Sequence, residues 1–468
     1  MSFKLEPILI AGREIYPIIE GGKGIAVSSG KSSGAFAAAG TIGTFSGVNA
    51  DYYDENDKLV EIVYTGKTRV ERHFELIKHS IKGGIAQAKV AYEMSKGNGM
   101  INMNILWEMG AAQEILTQIL KGTKGLIHGV TCGAGMPYKL AEIAAEYGIH
   151  YYPIVSSMRA FRALWKRSYH KYVSNLGAVV YEDPWLAGGH NGLSNSEDPE
   201  KPEDPYPRIV EIRQFMNEVG LQHIPIVMAG GVWHLQDWSN YINNNEVGPI
   251  AFQFGTRPIL TKESTVPESW KKKLLTLKKG DVFLNRYSPT GFYSSAVNNN
   301  FIAELRGIEE RQIPYTAKRE SDEQVTLPFG QRGRDIYIYP ADKANAKKWM
   351  EAGFNEMMKT PDSTIIFVTE ERSNRIHQDQ VDCMGCLSHC KFSNWRDREE
   401  EQYTTGRRTD PRSFCIQKTL QDVVHKGDIE NELMFAGHNA FKFGEDSYYK
   451  NEFVPTVQEL VERIKIGL

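Results

Sequence analysis

Eight short apolar runs alternate with helix-like stretches over roughly the first 255 residues, and no other feature restricts the fold as strongly. The runs are YPIIE (16–20), GTIGTFS (40–46), MINMNI (100–105), GLIHGVT (125–131), IHYYPIV (149–155), GAVVYED (177–183), IPIVMAG (224–230) and PIAFQFG (249–255). Several place Ile and Val on consecutive positions, as strands covered on both faces do. Helical periodicity fills the gaps, most clearly at 70–95, 107–120, 137–148, 158–175 and 208–220. Eightfold strand–helix alternation predicts an α/β fold, a closed (β/α)8 TIM barrel. An open doubly wound sheet is the rival if the count is off by one or two. The barrel is expected to occupy residues 1–310. Residues 311–468, where the alternation stops, are expected to form a C-terminal extension packed on it.

Two loops exceed what a minimal barrel needs. Residues 47–68 suggest a small hairpin. Residues 191–207, NGLSNSEDPEKPEDPYP, are acidic and Pro-rich, and read either as a lid at the catalytic rim or as a solvated excursion.

Charge and hydropathy exclude some functions. The net charge of −3 offers no electrostatic case for nucleic acid or an anionic membrane. No apolar run reaches the length of a membrane span, and the N-terminal stretch lacks a signal-peptide core. A cytoplasmic protein acting on a small molecule is expected, with oligomerisation left open.

Three strands end in glycine-bearing turns: PWLAGGHNG (184–192), GVWHLQD (231–237) and TRPILTKES (256–264). Without a Cβ, glycine lets backbone N–H groups approach a ligand, and such turns before a helix bind phosphate. The last two follow the seventh and eighth strands, the usual phosphate position in such barrels. Each Gly-Gly taken alone is equally a tight turn.

Motifs in these turns resemble the nitronate monooxygenase (2-nitropropane dioxygenase) family. They are AGGH (187–190), MAGGV (228–232) and FQFGTRPILTKES (252–264), with PIIEGGKGIA (17–26), MINMNIL (100–106) and YSPTGFYSSAVNNNFIAEL (287–305) in the same order. The resemblance implies an FMN-dependent oxidoreductase. It puts Gly22, Gly24 and Ile25 near the flavin ring, Asn104 at its polar edge and Gly188 and Gly189 beside it. Gly230, Gly231, Gly255 and Thr256 would cradle the phosphate. His190 matches the family's base toward a nitroalkane carbon, and an imidazole suits that task near neutral pH. Asp183, Pro184, Trp185 and Leu186 depart from the family's Gln-Gly-x-Glu, which predicts a bulkier substrate wall. GAGMP (133–137) lacks the third glycine of a dinucleotide fingerprint and is not read as an NAD site. Cys132 beside it is read as packing, and the other histidines, His170 and His223 among them, receive no role.

Three of the five cysteines crowd into DCMGCLSHC (382–390), and a fourth follows in RSFCIQK. Cys383, Cys386, Cys390 and Cys415 suit a 4Fe–4S cluster, held by three close thiolates and a remote fourth. Zinc, with His389 able to replace one thiolate, is the alternative, and unliganded thiols the bland reading. The spacing also resembles that of iron–sulfur flavin reductases. RRTDPR (407–412) either offsets a cluster's charge or is plain surface. A cluster would imply an electron-carrier partner and favour reduction of an activated C=C bond over nitronate oxidation. A zinc-stapled, non-catalytic flavin barrel is the third reading.

Overall fold

The computed structural model describes residues 3–56, 58–330, 333–397 and 404–468. Eight parallel strands close into a barrel: Ile18–Glu20, Ile42–Ser46, Met100–Leu106, Gly129–Gly133, His150–Val155, Val179–Glu182, Ile226–Ala229 and Ile250–Phe254. The eighth closes on the first, with Phe252 opposite Ile18 and Phe254 opposite Glu20. All eight coincide with predicted runs, and the open-sheet rival is set aside. Both strand faces are covered, the outer by helices and the inner by side chains such as Ile19, Ile42, Tyr152, Val180 and Val227.

Helices follow the first six strands, at Gly30–Ala38, Arg69–Ser95, Ala112–Gly122, Leu140–Glu146, Met158–Arg167 and Pro205–Glu218. The second is the longest. Thr68 caps it by accepting from the Glu71 N–H, while Glu71 accepts from the Thr68 N–H. A 3₁₀ turn follows the seventh strand at Leu235–Trp238, and another follows the eighth at Arg257–Leu260, ahead of helix Glu268–Leu275. The ring is instead completed by the last helix, Val457–Lys465, which packs beside the first helix. Val457, Leu460, Val461 and Ile464 enter the barrel's own core, each burial worth roughly 1.5–3 kcal/mol. The extension therefore returns to the barrel.

Between these ends the extension forms a three-stranded antiparallel sheet (Gln312–Pro314, Thr364–Val368, Glu356–Lys359) and a hairpin (Val325–Phe329, Arg334–Ile338). Helix Pro340–Glu351 covers them, giving a separate core around Ile313, Ile336, Ile365 and Phe367. That helix ends where Gly353 turns the chain at φ +94°, and Glu356–Lys359 returns as a strand. The loop over 47–68 holds one antiparallel bridge, Tyr53 to Leu59. Among the described residues no helix is long and apolar enough to cross a membrane.

Candidate active site

The strands' C-terminal ends open into a cavity of about 500 Å³, within the range of small-molecule and cofactor sites. Gly22, Gly24, Ile25, Asn104, Gly188, Gly189, His190, Gly230, Gly231, Gly255 and Thr256 all line it. Residues up to 234 positions apart in sequence thus share one chamber because each sits at or just past a strand end.

Two of these glycines permit close approach. A Cβ on Gly22 would meet the Asn104 side chain at 2.3 Å, so the first loop seats directly on that amide. A Cβ on Gly188 would meet backbone atoms of Ala436 and Gly437 at 2.5 and 2.6 Å. Gly188 thus makes room for the C-terminal chain as well as for a ligand. Gly255 differs, because a Cβ there would project into open space.

His190 is held by a rim sheet rather than by a free loop. Gly189–His190 pairs antiparallel with Ser294–Val297, which pairs with Val282–Asn285. Nε2 of His190 lies 2.7 Å from Ser288 Oγ, and Ser288 Oγ lies 2.8 Å from Thr290 Oγ1. The ring meets Phe435 edge-on at 5.2 Å. Burial lowers its pKa to about 4, so the imidazole is neutral through the physiological range.

Several cavity residues escaped the sequence reading. Residues 433–437 cross the rim sheet: Val297 N–H donates to Met434 O, Ala436 N–H to Ser295 O, and Gly437 N–H to Thr256 Oγ1 at 2.9 Å. The Asn439 amide donates to Gly231 O. This segment roofs the cavity, and nothing local in ELMFAGHNAF signals it. Lys23 lines the wall with its ammonium 2.6 Å from Glu20, a carboxylate that also accepts from Ser32 Oγ and Thr44 N–H. Asn191 Nδ2 is buried without a partner among the described residues, although its Oδ1 accepts from the Leu193 N–H. A buried amide donor left open at a cavity wall points to a ligand acceptor.

Glu182, at the end of the sixth strand, also lines the cavity. Burial, with a smaller contribution from Asp183, raises its pKa to about 8. The folded protein therefore holds a proton that the unfolded chain releases above about pH 4.5, and stability should fall as pH rises between those values. The slope reaches up to about 1.4 kcal/mol per pH unit. In ligand-free protein Glu182→Gln should flatten this decline, as read by denaturant unfolding at pH 5, 6, 7 and 8. Parallel wild-type and variant curves would remove the assignment.

The residues that depart from the family pattern act differently from expectation. Asp183 Oδ1 accepts from the Trp185 and Leu186 N–H groups and fixes the turn. Leu186 lines the cavity but Trp185 does not. Its indole N–H donates to Asp198 O and the Arg208 guanidinium lies over its ring at 4.9 Å. Trp185 thus anchors the acidic loop over 191–207 instead of bulking the substrate wall. That loop is further tied by Arg208 to Glu197 and Glu203, and contributes Asn191 and Gly192 to the cavity.

All four C-terminal cysteines are buried and unpaired, in one apolar cluster with Met384, Leu387, Phe392, Trp395 and Phe414. Their loop sits on the third strand's rim: Gly110 N–H donates to Cys386 O, and Ser388 N–H to Glu108 O. Cys386 itself lines the cavity. Among the described residues no set of three or more His, Cys, Asp or Glu side chains is arranged to hold a metal ion. His389 pairs through its backbone with Arg396 across a two-residue hairpin. In the basic stretch, Arg412 bonds Asp410 and Asp362 and Arg408 bonds the Tyr315 hydroxyl. The cations at the cysteine loop are others. Arg72 donates to Cys383 O and Val381 O, and Arg69 to Ser393 O and Gln380 O. Cys132 is buried in the barrel, as the packing reading has it.

No curated protein matches the chain. Among solved structures it is similar to FabK from Thermotoga maritima, at 15% identity and TM-score 0.50, over 96% of this chain and 91% of that one. It is also similar to the enoyl reductase domain of MlnA from the macrolactin biosynthesis cluster of Bacillus amyloliquefaciens, at 12% identity and TM-score 0.52, over 96% and 93%. At such identities these likenesses speak for the fold alone. The nitronate monooxygenase family model matches residues 7–374, most of the chain, and stops short of the cysteine loop. The chain therefore belongs to the nitronate monooxygenase family and is a flavin-dependent oxidoreductase.

Proposed function

We propose that the cavity binds FMN and that the enzyme oxidises a nitronate or a similar small activated carbon acid, with His190 as the base. The observation that carries this reading is the convergence of the glycine turns, Asn104 and a neutral His190 on one chamber. The residues fit the group. Gly255 leaves open space where any other residue would place a Cβ, and Asn191 offers an unpaired buried donor. Gly230, Gly231, Gly255 and Thr256 would hold the phosphate, with Gly22, Gly24, Ile25, Asn104, Gly188 and Gly189 around the ring. When bound, FMN supplies the electron acceptor.

The chain's own residues bind and handle the proton. A neutral imidazole that donates its Nε2–H to Ser288 keeps its Nδ1 lone pair for a carbon-bound proton. Phe435 beside the ring and the segment over 433–437 limit water at that nitrogen. Lys23, next to Gly22 and Gly24 and paired with Glu20, places a buried positive charge on the wall that suits an anionic partner.

A second reading, reduction of an activated C=C bond, has one observation in its favour: the thiol cluster reaches the cavity wall through Cys386. The test is purification of the full chain, release and counting of its flavin, and assay with nitroalkanes, their nitronates and α,β-unsaturated thioesters. About one FMN per chain with nitronate-dependent oxygen uptake is expected. Flavin with thioester reduction alone would move the assignment to the second reading, and a chain unable to take up FMN would overturn both.

A further inference from the structure

We propose that Cys383, Cys386, Cys390 and Cys415 ligate a 4Fe–4S cluster in the wall of the active-site cavity. Nothing in the family match reaches these residues, which all follow residue 374. Four buried thiols in one neighbourhood are otherwise hard to explain. Cys386 lies within electrostatic reach of Cys383, Cys390 and Cys415, and Cys383 of Cys390 and Cys415. Gathered in one buried cluster, they offer the close trio and remote fourth sulfur that a cubane needs.

Polar groups stand close to the sulfurs. Gly385 donates to Cys383 Sγ at 3.4 Å and Ser393 Oγ lies 3.1 Å from the same sulfur, while the backbone N–H groups of Gln417, of Phe392 and Ser393, and of Lys418 lie toward Cys386, Cys390 and Cys415. Two of these donors belong to the first turn of helix Ile416–His425, whose N-cap is Cys415 itself, so the helix's positive end faces the sulfurs. Gly385, at φ +66°, allows the bend between the first two ligands, and a Cβ there would strike Trp395 at 2.5 Å. Arg69 and Arg72 stand on the loop's carbonyls and favour a net negative centre, whereas Lys418 is paired with Asp379 and Asp382.

Cys386, Leu387, Ile416 and Gln417 line the cavity, so the cluster would border whatever the cavity holds. Its use as a one-electron contact for the active site rests on the flavin reading above. The ligand set does not.

The full chain, purified anaerobically and supplied with equal ferric and ferrous iron and with sulfide, should hold about four iron and four sulfide per chain. It should also show broad visible absorption that dithionite bleaches. Cys386→Ser and Cys415→Ser should each lower iron roughly tenfold, while Cys132→Ser keeps the full complement. Wild-type protein with no more iron than Cys415→Ser, or with stoichiometric zinc in its place, overturns the proposal, and this comparison of metal content does not depend on how the variants fold. Flavin is counted separately. Iron without flavin leaves the cluster standing and removes the FMN reading, and flavin without iron does the reverse.

Discussion

Replacing His190 with Ala should lower kcat/KM for a carbon-acid substrate by about 10²–10⁴ while the FMN content stays unchanged. That range corresponds to about 3–5 kcal/mol of lost transition-state stabilisation, since each decade is 1.36 kcal/mol. Flavin should be kept because the ring of His190 contacts Ser288 and Phe435, and the proposed phosphate cradle lies on other loops. The pH profile makes the prediction specific. The base is the neutral imidazole, and burial lowers its pKa to about 4. Wild-type kcat/KM should therefore persist as pH falls through 6.5, where an unperturbed histidine is half protonated, and decline only on approach to 4. The same shift has a stability cost of opposite reach. Below 6.5 the unfolded chain takes up a proton that the folded ring refuses, so folding weakens between about pH 6.5 and 4. Ser288→Ala should give an intermediate loss, because it frees the ring without removing it. An unchanged acid limb in His190→Ala would assign that limb to another group.

The barrel was readable because its strands are buried on both faces, so Ile and Val runs mark them without help from tertiary context. Boundaries were less readable. The fourth strand runs from Gly129 to Gly133 rather than from 125 to 131, because Gly125 adopts φ +82° in a turn and Cys132 and Gly133 are carried by pairing with Ile105 and Leu106 of the third strand. Helix Glu370–Val381 went unread, although Thr369 caps it and Glu370 and Glu371 sit in its first turn. The glycine turns and His190 were legible because their motifs are local. The roof over 433–437 and the Asn191 donor were not, since each owes its place to a partner far away in sequence; the Lys23–Glu20 pair is local, three residues apart, but only the fold turns it toward the cavity. The cysteine spacing was visible at once. Its position against the cavity depended on the extension folding back over the third strand's rim, which no local pattern encodes.

Two single-methyl insertions should separate what the cavity's glycines do. Gly255→Ala places its Cβ in open space and asks for no unusual φ, so the flavin-free protein should melt within about 0.5 kcal/mol of wild type. Its FMN affinity should fall at least about tenfold, because the methyl occupies the space a phosphate would take and pushes it from the backbone N–H groups. Gly188→Ala should do the opposite in the flavin-free state. Its Cβ strikes the backbone of Ala436 and Gly437, which cannot rotate away as a side chain can, and such overpacking costs about 1–3 kcal/mol. The relief available is to lift the roof segment, breaking the Gly437-to-Thr256 hydrogen bond. Flavin affinity should then fall as a consequence of lost cover, and protease sensitivity should rise near residue 436. Thermal melts of stripped protein, FMN titration and limited proteolysis read all three effects. If Gly255→Ala bound FMN as tightly as wild type, the phosphate would not sit in this turn. If Gly188→Ala melted unchanged, the roof would not be seated on that glycine, and its contribution to retaining the flavin would have to come from Thr256 and Asn439 alone.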